Sequence, residues 1–154
     1  MSNGNVFISG TSRGIGNSIA YHFAENDYVV VGTSRNEFEF DKKIKNLIPV
    51  KLDVTSREDI QNCFNDLKTK NLLPDILINN AGITSDQIFL RMKDEEWDNV
   101  IDTNLNGVFN LSKIFVKNMI KNKKGRIINI SSISGLMGNP GQVNYSSSKS
   151  ALNG

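Results

Sequence analysis

Tyr145 and Lys149 stand four residues apart in the stretch NYSSSK. On a helix that spacing puts two side chains on one face, so a phenol and an ammonium would project into the same space. A phenol, with an ordinary pKa of about 10, exchanges a proton at neutral pH only with help. A neighbouring ammonium favours the phenolate. The pair could then protonate a carbonyl oxygen as hydride arrives, or take the alcohol proton in the reverse direction. An isolated YxxxK match reads as a surface helix, so its weight depends on what precedes it.

What precedes it begins with GTSRGIG, which carries Gly10, Gly14 and Gly16 directly after a short apolar run. A strand, a glycine-rich turn and a helix start are the parts of a dinucleotide site. Glycines let the backbone approach a pyrophosphate, and the free amides of the helix face its charge. The GxxxGxG spacing is weak evidence alone, and its place in the first strand–helix unit strengthens it. The second apolar run ends in VGTSRNE, which sets Arg35 where many NAD sites have a carboxylate. Arg13 adds a guanidinium from the glycine loop. Guanidinium groups hold a 2′-phosphate through paired charged hydrogen bonds, which favours NADP over NAD.

The elements that must position these residues alternate along the chain. Apolar runs at VFIS (6–9), YVVVG (28–32), VKLDV (50–54), DILIN (75–79) and RIINI (126–130) read as strands. Between them lie helical patterns. One carries Ile19, Ala20 and Phe23, and another Ile60, Cys63, Phe64 and Leu67. A long one runs from 95 to about 122, with Asn106 and Gly107 as a candidate break and Trp97, Ile101, Leu105, Phe109 and Met119 as core candidates. This order predicts an α/β class, a doubly wound parallel sheet with helices on both faces, the Rossmann fold. Residues 1–154 read as a single NADP-binding domain.

Composition excludes several other classes. The chain has 154 residues, 38% of them hydrophobic, and a net charge of +2 with no single-sign block, which argues against nucleic-acid or membrane-surface binding. No apolar run approaches the ~20 residues that span a bilayer, and the polar start MSNGN is no signal peptide. Cys63, the single cysteine, reads as a buried thiol in a reducing compartment, and a cytoplasmic location is expected. His22, the single histidine, reads as helix packing or surface; no metal site is expected.

Together GTSRGIG, the aspartate of LDVT, NNAG, TNL around Asn104, ISSISG around Ser132 and YSSSK resemble the short-chain dehydrogenase/reductase family, in the family's order and over essentially the whole chain. Within it, NNAGITSDQIFLRMKDEEW and GLMGNPGQVNYSSSK are most similar to bacterial reductases of β-ketoacyl thioesters carried on acyl carrier protein. The resemblance implies an NADPH-dependent reduction in fatty-acid elongation. It implies Tyr145 as acid/base and as a cofactor contact, with Lys149 lowering its pKa and binding the nicotinamide ribose. Ser132 would bond the substrate oxygen, and Asn104 would hold a water linking Lys149 to solvent. Gly10, Ser12, Arg13, Gly14, Ile15 and Gly16 would receive the cofactor's phosphates, with Arg35 beside them. Asp53 and Val54 would contact adenine, and Asn80, Ala81 and Gly82 would line the path of its ribose. Neighbouring Ser131 and Ser134 compete with Ser132, which the SS-x-x-G pattern favours.

Two further readings stay open: a reductase of a coenzyme A thioester, sugar or other ketone, and a nucleotide-binding remnant without turnover. The implied partner is an acidic carrier protein, for which KNKKGR (121–126) and RMK (91–93) are candidate docking clusters, or else solvated turns. Family members form tetramers and continue well past this point. The resemblance therefore predicts that the C-terminal part is missing, leaving an open sheet edge, poor solubility or oligomerisation, and negligible activity for these 154 residues alone.

Overall fold

A computed structural model describes residues 2–41 and 44–154. Its strands are β1 (Asn5–Ser9), β2 (Val29–Ser34), β3 (Leu47–Lys51), β4 (Ile76–Asn79) and β5 (Arg126–Asn129). Every neighbouring pair is parallel, in the order β3-β2-β1-β4-β5. The helices are α1 (Gly14–Glu25), α2 (Arg57–Thr69), α3 (Asp94–Ile101), α4 (Gly107–Lys121), α5 (Ser134–Met137) and α6 (Val143–Ala151). The doubly wound α/β fold read from the sequence is the one observed.

Strand alternation builds the two cores. Phe7, Val31 and Leu77 face one side, where they cluster with Ile60 and Leu67 of α2 and Leu111 and Phe115 of α4. Val6, Ile8, Val30 and Ile78 face the other, against Ala20 and Ala24 of α1. Fully burying each such Val, Leu, Ile or Phe contributes about 1.5–3 kcal/mol. The Phe7 and Phe115 rings lie 4.9 Å apart and tie β1 to α4.

Three expectations need correction. The third strand is Leu47–Lys51 and not 50–54. The expectation placed LDV in the strand and passed over Pro49. That proline is tolerated because β3 is an edge strand, pairing with β2 alone among the described residues. Leu52, Asp53 and Val54 consequently leave the sheet at its C-terminal edge. Nor does the long helix break at Asn106. α3 runs into α4 through a π-helical turn, Asp102–Asn106. Along it Val100, Asn104, Gly107, Leu111, Phe115 and Met119 are buried. Trp97 is 37% exposed and Phe109 54%, so the stripe of Trp97, Ile101, Leu105 and Phe109 is not the core face. Two apolar stripes at helical spacing compete here. Gly107 decides between them, because a Cβ there would come within 2.8 Å of Val54 Cγ2, and only glycine allows that approach. Met119 is buried as expected.

Among the described residues, strand β5 pairs with β4 alone, and its four residues are all exposed. No helix among the described residues is long and apolar enough to cross a membrane. Cys63 is half-buried, and burial pushes its thiol up to about 11, which makes it a poor nucleophile.

Candidate active site

In this strand order the direction of winding reverses between β1 and β4, and open parallel sheets carry a crevice at that point. A cleft of ≈ 840 Å³ lies there, lined by the glycine loop, the ends of β2 and β4, and the segment after β3. Its floor is close-packed backbone. A Cβ on Gly16 would sit 2.2 Å from the Gly10 carbonyl oxygen, and one on Gly10 would sit 2.8 Å from Ala81 Cα. Gly14 has φ +63 and open space where its side chain would be. The first turn of α1 holds no acidic residue, and Arg13 caps it with extended backbone and no side-chain bond. Its free amides are therefore available to an anion.

Polar side chains fasten this floor from below. Ser9 Oγ accepts the backbone N–H groups of Asn80 and Ala81 at 3.1 and 3.0 Å. Asn80 Nδ2 donates back to the carbonyls of Ser9 and Gly10 at 3.0 and 2.8 Å. Asn80 thus braces the glycine loop, and its amide hydrogens are already engaged. Buried Thr11 donates its N–H to the Thr33 carbonyl at 2.8 Å, fixing the loop to β2. Ser9, at the end of β1, and Thr11, in the glycine loop, were missed by sequence reasoning, since a lone hydroxyl has no pattern.

Ser12, Arg13, Ile15, Arg35 and Asp53 all line the same cleft. The two arginines come from separate loops and reach one space, as the sequence suggested. Asp53 Oδ1 accepts both the N–H and the hydroxyl of Thr55, at 2.9 and 2.8 Å, which fixes the carboxylate at the rim. Val54 also lines the cleft, but it is 7% exposed and belongs mainly to the core.

Gly82 leads from the cleft to the second group. A Cβ there would lie 3.3 Å from Asn104 Oδ1 and 3.5 Å from Lys149 Nζ. Asn104 is fully buried in the π turn; its Oδ1 accepts the Ile83 N–H at 2.8 Å, and Nδ2 donates to the Ile83 carbonyl and Ser148 Oγ at 3.0 and 3.1 Å. Lys149 is 4% exposed, and its Nζ donates to the Ile130 carbonyl at 2.7 Å. The same ammonium stands 5.8 Å from the Tyr145 ring centroid, so the i, i+4 pair does share one space. Burial pulls the Lys149 pKa below its ordinary 10.5.

The three serines after β5 separate by their partners. Ser131 Oγ donates to the Lys149 carbonyl at 3.0 Å and pins α6. Ser134 begins α5, and its N–H is accepted by Ser132 Oγ at 3.2 Å. Gly135, where a Cβ would meet the Lys149 carbonyl carbon at 2.7 Å, packs this turn directly on α6. The structure thus brings Lys149 beside both the Tyr145 ring and Gly82 at the cleft's end, while the described bond of Ser132 Oγ runs to the Ser134 N–H within its own turn.

A family model described as short chain dehydrogenase matches residues 4–154. The 3-oxoacyl-acyl-carrier-protein reductase of Escherichia coli (strain K12) is 42% identical over 97% of this chain and 63% of its own length. The Haemophilus influenzae protein of the same name is 41% identical with the same coverage. The chain thus spans about 63% of the length of these curated relatives. Among solved structures, a 4-hydroxyisoleucine dehydrogenase complexed with NADH superposes with TM-score 0.87 and 36% identity, over 96% of this chain and 64% of that one. A short chain dehydrogenase from Leptospira borgpetersenii with bound NAD+ gives TM-score 0.92 and 29% identity, over 99% and 62%.

Proposed function

Because the chain belongs to the short chain dehydrogenase family, we propose that it is the catalytic portion of an NADPH-dependent reductase, acting on a β-ketoacyl thioester carried by acyl carrier protein. Residues 1–154 act in this reading as one NADP-binding domain. The observation that carries it is the convergence of Tyr145 and Lys149 on the space reached through Gly82 from a cleft holding the glycine loop, Arg13 and Arg35. The names of the curated relatives supply the thioester.

The residues present fit a dinucleotide: a floor too tight for side chains, helix amides facing the cleft and two guanidiniums at its rim. When bound, the reduced cofactor supplies hydride to the ketone carbon. Gly10, Ser12, Arg13, Gly14, Ile15 and Gly16 receive the phosphates. Asp53, Val54, Asn80, Ala81 and Gly82 shape the adenosine side. Tyr145 donates its phenolic proton to the ketone oxygen, and Ser132 donates a hydrogen bond to that same oxygen. Lys149 holds positive charge against the phenol and binds the nicotinamide ribose. Asn104 fixes the Ile83 peptide at the junction. With both its amide hydrogens engaged, any water it holds uses an oxygen.

Arg35→Ala in the full-length gene product is expected to weaken NADPH binding roughly tenfold and leave NADH binding nearly unchanged, since only the 2′-phosphate is lost as a partner. Titration with both cofactors checks it. Equal affinities in the parent, unaltered by the substitution, would exclude a 2′-phosphate role.

The carrier protein and a homotetrameric assembly belong to the same proposal. The two basic clusters lie differently. Lys121 to Arg126 sit at the N-terminal ends of the strands, where Lys124 Nζ pairs with Asp75 at 3.1 Å. Arg91 and Lys93 lie in the segment between Gln87, which donates its N–H to the Gly141 carbonyl at 2.8 Å, and Glu96, whose carbonyl accepts from Asn144, so this segment is tied to the turn and helix that carry Tyr145. An acidic carrier docked at Arg91 and Lys93 can present its thioester to Tyr145. Charge reversal there is expected to raise KM several-fold for the carrier-bound substrate, by loss of steering, and to spare a small thioester. Equal effects on both substrates would mean general damage.

A further inference from the structure

Asn144 was not singled out by any reading of the sequence, yet it is fully buried and engaged in three directions. Its Nδ2 donates to the carbonyls of Ser85 and Glu96, at 3.0 and 3.2 Å. Its Oδ1 accepts the N–H of Tyr145 at 2.8 Å. Ser85 lies in the connection after β4, two residues past Ile83, whose peptide Asn104 holds. Glu96 lies in α3. One side chain therefore fastens the first turn of α6 to both walls around it. Only a short neutral amide brings two donors and an acceptor to this reach: aspartate has no donor when ionised, and serine has one.

We propose that Asn144 is a positioning residue for the reduction, setting the place of Tyr145 by clamping its backbone to the β4–α3 connection and to α3. The assignment rests on Tyr145 being the proton donor proposed above. Glu96 and Ser85 offer carbonyls on two separate elements, so a helix turn held by both cannot rotate or slide without breaking one of these bonds. A proton donor must meet the substrate oxygen within hydrogen-bond reach, and small displacements there are costly.

Two substitutions in the full-length gene product test it. Asn144→Asp keeps the shape and the acceptor for the Tyr145 N–H but turns lone pairs toward two carbonyls. Asn144→Ala removes all three bonds. Both are expected to lower kcat roughly 10–100-fold, while KM and cofactor affinity stay within about threefold. The kinetic isotope effect with deuterated NADPH should rise, and the Tyr145 ring resonances of tyrosine-labelled protein should shift. Wild-type kcat in a folded Asn144→Asp, unmoved Tyr145 resonances, or a KM effect alone would overturn the assignment. If neither variant folds, Asn144 is structural only and the assignment also fails. A parent protein that reduces some other ketone refutes the thioester reading instead, and the same variants assayed on that ketone still decide Asn144.

Discussion

Tyr145→Phe in the full-length gene product is expected to retain NADPH binding and to lose about 10²–10⁴-fold in turnover of a β-ketoacyl thioester. The substitution deletes one oxygen. The ring keeps its place over the Lys149 ammonium, 5.8 Å from the centroid, and the backbone N–H keeps its bond to Asn144. No described cleft-lining role depends on the hydroxyl, so cofactor affinity has no reason to fall. In the proposed reaction, hydride addition without that proton would leave an alkoxide for the Ser132 hydroxyl and solvent to relieve. Cofactor titration and steady-state rates, measured on the same preparation, separate the two effects. Turnover within tenfold of the parent would show that another group delivers the proton.

Lys149→Met is expected to damage both cofactor binding and turnover, with turnover falling about 10²-fold or more as a buried charge beside the proposed proton donor is lost. The substitution also strands the Ile130 carbonyl that Nζ now satisfies at 2.7 Å. A pH signature accompanies it. Burial lowers the folded-state pKa of Lys149 below its ordinary 10.5. Between the lowered value and 10.5 the unfolded chain binds more protons at this site, so its contribution to stability rises with pH across that window. Below the window the buried charge costs stability. Activity moves the other way, because the ammonium is lost as pH climbs. Melting curves and rates of the parent, each compared with Lys149→Met, should therefore diverge in the alkaline range. A parent whose stability difference from the variant is flat with pH would contradict the burial effect.

Legibility was uneven. The glycine loop could be read because close backbone approach restricts residue type at fixed places in the chain, and Arg35 lines the cleft at the end of the second strand where the sequence put it. The strands could be read because burial on both faces makes continuous apolar runs. The third strand was misplaced by three residues, since an edge strand tolerates Pro49 and leaves no pattern of its own. The long helix was assigned the wrong face, since Trp97, Ile101, Leu105 and Phe109 are as periodic as the buried stripe. Periodicity reports that a helix has an apolar side; it does not say which of two sides meets the sheet.

The sequence by itself determined the parallel α/β architecture, the cleft-forming loop and the Tyr145–Lys149 pair, because each depends on neighbours within a few residues. Only the tertiary structure decided how these parts are held together. Asn80 bracing the glycine loop, Asn104 gripping Ile83 from a π turn and Asn144 clamping Tyr145 all join residues at least 21 positions apart, apart from the last bond to Tyr145 itself. An asparagine side chain has the same composition wherever it stands. Whether it is solvated on a surface or satisfies a buried carbonyl depends on which distant peptide the fold brings against it.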